Sequence, residues 1–342
     1  MEHDRIKRLR LIPLLFLLPS LLLVIQMSAK THSAYEGHHS IERDKIDDLL
    51  LRCAPLPDWK KLDKGGFSIS REHMEYVGGS KATVPLYAEL ERQCFDNSGE
   101  EKAPFDTKYT YNSFSSLIYT YAGKTEDDAD FLTYNEKHIL FEKGVPADSA
   151  EKAEKAGLEL VTEPIAYDGL VFFTHRDNPV ESLTLKQIQD IYSGKITNWK
   201  DVGGNDEKIV AYQRSEGSEE QWTMDTKVMG FVKMTEPEES YMEGSTRFVG
   251  EYVNKVNSLG YTSGACFQRL YASEDIKKLK IDGTEPSEDT FRSGAYPIVD
   301  TYYVITVRGD DSISQDLRRY ILSDRGQQLV RMAGLCPVKE VR

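Results

Sequence analysis

Cysteine and tryptophan are scarce in this 342-residue chain, at four and three residues. No two cysteines stand at a metal-ligand spacing, and His38-His39 falls in a polar stretch, so no zinc site is expected. Basic residues are in deficit, with 43 Lys and Arg against 56 Asp and Glu and a formal net charge of −13. That balance argues against nucleic acid or an anionic membrane surface as a partner. No repeat of solenoid length is present. A Gly-x-Ser-x-Gly nucleophile signature in a strand-to-helix context is also missing. The adjacent Glu219 and Glu220 could be imagined as an acid–base pair, but neighbours on a helix point about 100° apart and do not converge on one bond. No enzyme activity and no cofactor are expected.

The apolar run Leu11 to Ile25 is broken by Pro13 and Pro19 and preceded by Arg5, Lys7, Arg8 and Arg10. A basic segment followed by a short apolar one marks residues 1–29 as a signal peptide or N-terminal anchor, with cleavage after Ala29 or Ala34. The run is short for a membrane-spanning helix, and no Cys suited to lipidation follows it. An exported chain with an even cysteine count allows two disulfides. The expected pairs are Cys53–Cys94 and Cys266–Cys336; the alternative is four buried thiols. Residues 30–65 read as a linker, with one short helix over 41–51.

The informative stretch runs from Pro164 to Trp222. Gly169-Leu170-Val171-Phe172-Phe173 suits a buried strand. Leu183 to Tyr192 reads as a helix with Leu185, Ile188 and Ile191 on one face, closed by Gly194. A second strand, Ile209 to Tyr212, leads into Arg214-Ser215-Glu216-Gly217-Ser218, the entrance to another helix. Unpaired N–H groups at a helix start, a forked guanidinium and a hydroxyl together form a device for holding an oxyanion. The competing reading is an N-capping Ser218 beside an Arg214 that pairs with Glu216, Glu219 or Glu220.

Elsewhere, Tyr76-Val77 reads as a strand entering Gly78-Gly79-Ser80. A helix follows from Val84 to Phe95, with Pro85 in its first turn and Thr83 as a cap. Tyr109 to Tyr111 and Asp130 to Leu132 read as strands, and Asn112-Ser113 as the cap of a helix over 114–122. Ala147 to Gly157 is a charged helix with i,i+4 pairs. Tyr302 to Val307 is a strand, and Ser314 to Met332 a helix.

Ile191-Tyr192-Ser193-Gly194-Lys195-Ile196-Thr197-Asn198-Trp199, Val202-Gly203-Gly204 and the Arg214 to Ser218 loop together resemble the phosphate-binding components of ABC transporters. More broadly they resemble type II periplasmic-binding-protein-like domains. Gly78 to Pro85, Ile281-Asp282-Gly283, Arg292 to Pro297 and Ile321 to Leu335 extend the resemblance from about Gly66 to the C-terminus. The resemblance implies an α/β fold of two lobes with a hinge and an interlobe cleft. Lobe one would be 66–168 plus 298–342, and lobe two 169–297. It implies an extracytoplasmic solute-binding protein for phosphate or a related oxyanion, serving an ABC transporter permease and touching membrane only through its N-terminal segment. Expected ligand contacts are Ser80, Thr83, Ser113, Arg214, Gly217 and Ser218.

Two departures stand out. The family's ligand-contacting Asp after the third strand has no counterpart in Thr133-Tyr134-Asn135-Glu136. Glu219-Glu220 replaces the Gly-Thr expected after Gly217-Ser218. Either both carboxylates face solvent, or one occupies the anion pocket. In the second case the chain is a non-transport, surface-anchored binding or sensor module with an altered or lost site.

Overall fold

The computed structural model describes residues 53, 60–62, 65, 67–94, 110–123, 136–214, 218–230, 232–236, 255–271, 273–310 and 312–341. All of these lie in the compact unit 40–342. The readings made for residues 1–29, the helix over 41–51, the strand Asp130 to Leu132, the departure at Asn135 and the contact Gly217 fall outside the described residues.

The organising element is a sixteen-residue strand, β3 (Leu160–His175). Its first part pairs antiparallel with β9 (Val299–Val307), from Leu160 opposite Val307 to Gly169 opposite Val299. Its second part pairs antiparallel with β6 (Ser258–Ser263) and β7 (Ile276–Lys278). On the far side of β9 lie β2 (Ile139–Glu142) and then β1 (Val77–Gly79). At the other end, β5 (Val210–Ala211) runs parallel to β6. β10 (Cys336–Pro337) also pairs with β3, and β4 (Ser182–Leu183) pairs separately with β8 (Lys280–Ile281).

Side-chain alternation along these strands builds the cores. Ile139 and Phe141 of β2 enter one core with Ile165, Tyr302, Val304 and residues of α1 (Val84–Cys94). Leu140 points the other way, to Phe114, Leu117 and Ile305. Past Gly169 the contacts change: Leu170 to Phe173 join a different core with Ile188, Trp199, Tyr261 and Tyr296. The one strand β3 therefore serves both groups. This mixed α/β sheet agrees with the expected fold class.

Local sequence accounts for several elements. α4 (Leu185–Tyr192) is capped by Thr184, whose hydroxyl accepts from Gln187 N at 3.0 Å while Gln187 Oε1 accepts from Thr184 N at 2.8 Å. Leu183, expected to open this helix, lies instead in β4, and Thr184 is the cap. The charged helix is α3 (Ala147–Lys155).

Three other expectations are corrected. Tyr111 is helical rather than extended: α2 spans Thr110–Ala122, so Ser113 lies inside its first turn and does not cap it. The apolar periodicity of Phe114, Leu117 and Ile118, all buried, extends the helix back through a segment rich in β-forming residues. The C-terminal helix is two helices, α6 (Ile313–Leu322) and α7 (Asp324–Met332), broken at Ser323. Ser323 Oγ accepts from Gly326 N at 3.2 Å and donates to Tyr320 O at 2.6 Å, which ends one helix and caps the next. The expected cysteine pairs are not formed; the four are buried thiols. Burial pushes the Cys336 thiol up to about 12 and raises that of Cys266, which suits inert core residues rather than exchange partners.

Candidate functional site

The first loop follows β1. Gly79, at φ +156°, has no room for a side chain: a Cβ would lie 2.0 Å from Tyr87 Oη and 2.4 Å from the carbonyl oxygen of Phe141. This close approach lets the chain enter a 3₁₀ turn, Lys81–Thr83, directly before α1. Ser80 carbonyl accepts from Thr83 N at 3.1 Å and from Thr83 Oγ1 at 2.7 Å. The Thr83 hydroxyl proton is therefore committed to its own turn. Ser80 is buried, and its hydroxyl has no hydrogen-bond partner among the described residues.

Ser113 on α2 is in the same condition: 1 % exposed, with an unpartnered hydroxyl. Ser116, one turn on, repeats it and was not anticipated. A buried hydroxyl without a partner costs free energy, of order 1–3 kcal/mol, so two such groups at expected contact positions call for an explanation.

The third segment is α5 (Glu219–Thr223), continued by a π-helical stretch, Met224–Met229. Ser218 caps α5, its oxygen accepting from Gln221 N at 3.2 Å. That bond uses a lone pair and leaves the O–H out of the cap. Gln221 ties the preceding loop down: its Oε1 accepts from Arg214 N at 3.0 Å and from the Tyr261 hydroxyl, while its Nε2 donates to Asp225 at 2.9 Å.

The Arg214 side chain is 12 % exposed and faces Glu220, Nη2 to Oε2 at 3.6 Å; the Glu220 side chain is 6 % exposed. Glu220 therefore does not face solvent, as one of the two readings required. The 3₁₀ turn Lys81–Thr83 packs on α5, so the first and third loops meet. α2 packs on β1 and β2, the strands that precede the first loop and Lys143.

A second cation was missed. Lys143 follows β2 and is 13 % exposed. It donates to Asp300 Oδ2 at 2.8 Å and to Thr223 Oγ1 at 3.2 Å. Thr223 Oγ1 also donates to Asp300 Oδ2 at 2.9 Å, and Lys227 pairs with Asp300 Oδ1 at 2.5 Å. Burial would lower the Lys143 pKa, but Asp300, and then Glu219 and Glu220, raise it. Burial pushes the Asp300 carboxyl up, yet Lys143 and Lys227 more than offset this and hold it down at about 2. Lys143, Thr223 and Asp300 are far apart in sequence, and no spacing rule could have joined them.

Among the described residues no group of three His, Cys, Asp or Glu is placed to hold a metal ion. No helix there is long and apolar enough to cross a membrane. A cavity lined by Tyr192, Ala211, Gln213 and Thr235, among others, contains none of the expected contact residues.

Comparison with known proteins places this geometry in context. The chain is 26% identical over 279 residues to the phosphate-binding protein PstS of Borreliella burgdorferi, covering 78% of this chain and 91% of that protein. It is 27% identical over 195 residues to PstS of Bacillus subtilis, covering 55% of this chain and 62% of that one. It resembles a Clostridium perfringens protein, assigned as a phosphate ABC transporter substrate-binding protein and solved with phosphate bound. That similarity has a TM-score of 0.58 at 25% identity, over 80% of this chain and all of the other. An ABC-type phosphate transport receptor of Vibrio cholerae shares the fold at a TM-score of 0.54 and 18% identity, over 78% of this chain and 99% of the other. The model of the PBP superfamily domain, PBP_like_2, matches residues 142–325, more than half of the chain. The chain is a member of the PBP superfamily.

Proposed function

We propose that the chain is an extracytoplasmic solute-binding protein that captures phosphate or a related oxyanion and presents it to an ABC transporter permease. Residues 66–168 with 298–342 would form one lobe and 169–297 the other, with the anion held between them. The mechanism is binding without chemistry: hydroxyl donors and a guanidinium replace the water around the ligand. The observation that carries this reading is the pair of buried hydroxyls of Ser80 and Ser113, without partners among the described residues, in a fold shared with proteins named for phosphate binding. Arg214 and Ser218 would complete the site. Thr83 is a weaker contact because its proton is already used.

The reading is consistent with the net charge of −13 only if the positive field is local, since the acidic exterior would repel an approaching anion. Isothermal calorimetry with inorganic phosphate is the direct test. Absence of both heat and a thermal shift at millimolar phosphate rejects anion capture. A second reading, a surface-anchored binding or sensor module without a transport role, is favoured by the contact of Glu220 with Arg214. Co-purification of a permease with the tagged chain separates the two, and cell fractionation separates a released protein from one anchored by residues 1–29.

A further inference from the structure

We propose that Glu220 acts as an internal competitor for the anion site, holding Arg214 until an oxyanion displaces it. This inference rests on the anion-binding reading above. Three observations carry it. First, the two charged groups face each other at 3.6 Å with both side chains nearly buried, so neither is neutralised by bulk water. Second, the pairing is built in. Gln221 Oε1 accepts from both Arg214 N and the Tyr261 hydroxyl, which fixes the backbone at Arg214 to the helix that carries Glu220. Third, the carboxylates of this turn also act on the second cation, since Glu219 and Glu220 join Asp300 in raising the pKa of Lys143, against the effect of burial. Arg214 and Lys143 are thus each already matched by a carboxylate of the chain itself.

The contact has the geometry of something displaceable. At 3.6 Å it is a charge–charge contact, longer than a hydrogen bond. A tetrahedral oxyanion offers a guanidinium two parallel acceptors, the stronger arrangement. Gln221 fastens the loop through Arg214 N and the Tyr261 hydroxyl, so the loop keeps its place when the Glu220 side chain turns away. A carboxylate left beside the bound anion would repel it, so its removal strengthens binding.

The test uses the full chain, inorganic phosphate and calorimetry on three proteins: wild type, Glu220→Gln, and Glu220→Gln combined with Arg214→Gln. The expected result is about tenfold or more tighter binding in E220Q, the low end of what a like charge at contact distance is worth at an effective dielectric of about 20. The double variant folds, as circular dichroism reports, and binds at least about tenfold more weakly than E220Q. Binding in wild type that is unchanged or weakened in E220Q overturns the competitor role while leaving anion capture intact. Absence of both heat and a thermal shift from wild type at millimolar phosphate removes anion capture and this inference with it. Should E220Q fail to fold, Glu220→Asp withdraws the carboxylate by one methylene; it must tighten binding several-fold, and equal or weaker binding overturns the proposal.

Discussion

Asp168 and Asp300 stand directly opposite one another across β3 and β9, both nearly buried. Like charges in that register repel, and the structure treats the two differently. Asp300 is ionised between Lys143 and Lys227. Asp168 accepts from the N–H groups of Gly169 at 2.8 Å and Ala265 at 3.2 Å. Burial raises its carboxyl to about 7, although these N–H groups and Lys143 pull it down.

The pH dependence of stability follows. Asp168 has a folded-state pKa above its unfolded value, so the unfolded chain loses this proton first. Stability from this group is complete below about pH 4 and is lost as pH rises through about 7, a change of order 4 kcal/mol. Asp300 has the opposite sign: its contribution is complete above about pH 4 and is lost as pH falls toward about 2. Between pH 4 and 7 the Asp168 effect therefore acts alone of the two. Urea denaturation at several pH values in that window should show Asp168→Asn gaining on wild type as pH rises. Parallel curves for the two proteins would rule this out.

Asp300→Ala leaves Lys143 buried without its strongest partner. The expected loss is about 3 kcal/mol, at the lower edge for breaking a buried pair because Lys227 is partly exposed and can turn to water. Chemical denaturation measures it, and a loss below about 0.5 kcal/mol, the level of an ordinary surface change, would contradict the network described here.

Gly79→Ala should destabilise the protein by about 1–3 kcal/mol or more, because the added methyl meets the main chain at Phe141 as well as Tyr87. The melting temperature reports this directly. A variant as stable as wild type would mean that β1 and α1 approach less closely than they do here.

Ser80→Ala and Ser113→Ala separate structure from binding. Neither hydroxyl has a partner among the described residues, so each change should leave stability within about 0.5 kcal/mol or raise it. If the hydroxyls meet the ligand, each change weakens phosphate binding about tenfold, the worth of one hydrogen bond to a charged group. Stability lost with binding intact would identify them as packing residues.

Much of the scaffold could be read before the structure, because its cues are local. Thr184 with Gln187, Gly194 and Ser218 end or begin helices through bonds spanning a few residues. The apolar run at Gly169 to Phe173 is indeed core strand. The break at Ser323 was hidden because residues on both sides keep helical periodicity, and only the packing of Gly326 against Tyr320 shows why the axis must turn. The site was less legible. Neighbours on a helix differ in direction by about 100°, so composition alone could not say where Glu219 and Glu220 point. Lys143, Thr223 and Asp300 meet only through the sheet, and the unpartnered state of Ser116 depends on what surrounds it.

Because one uninterrupted ribbon of backbone, β3, belongs to both cores, neither core has a wall of its own along that side. Melting either would strip hydrogen-bond partners from the other, which couples the halves into a single cooperative transition.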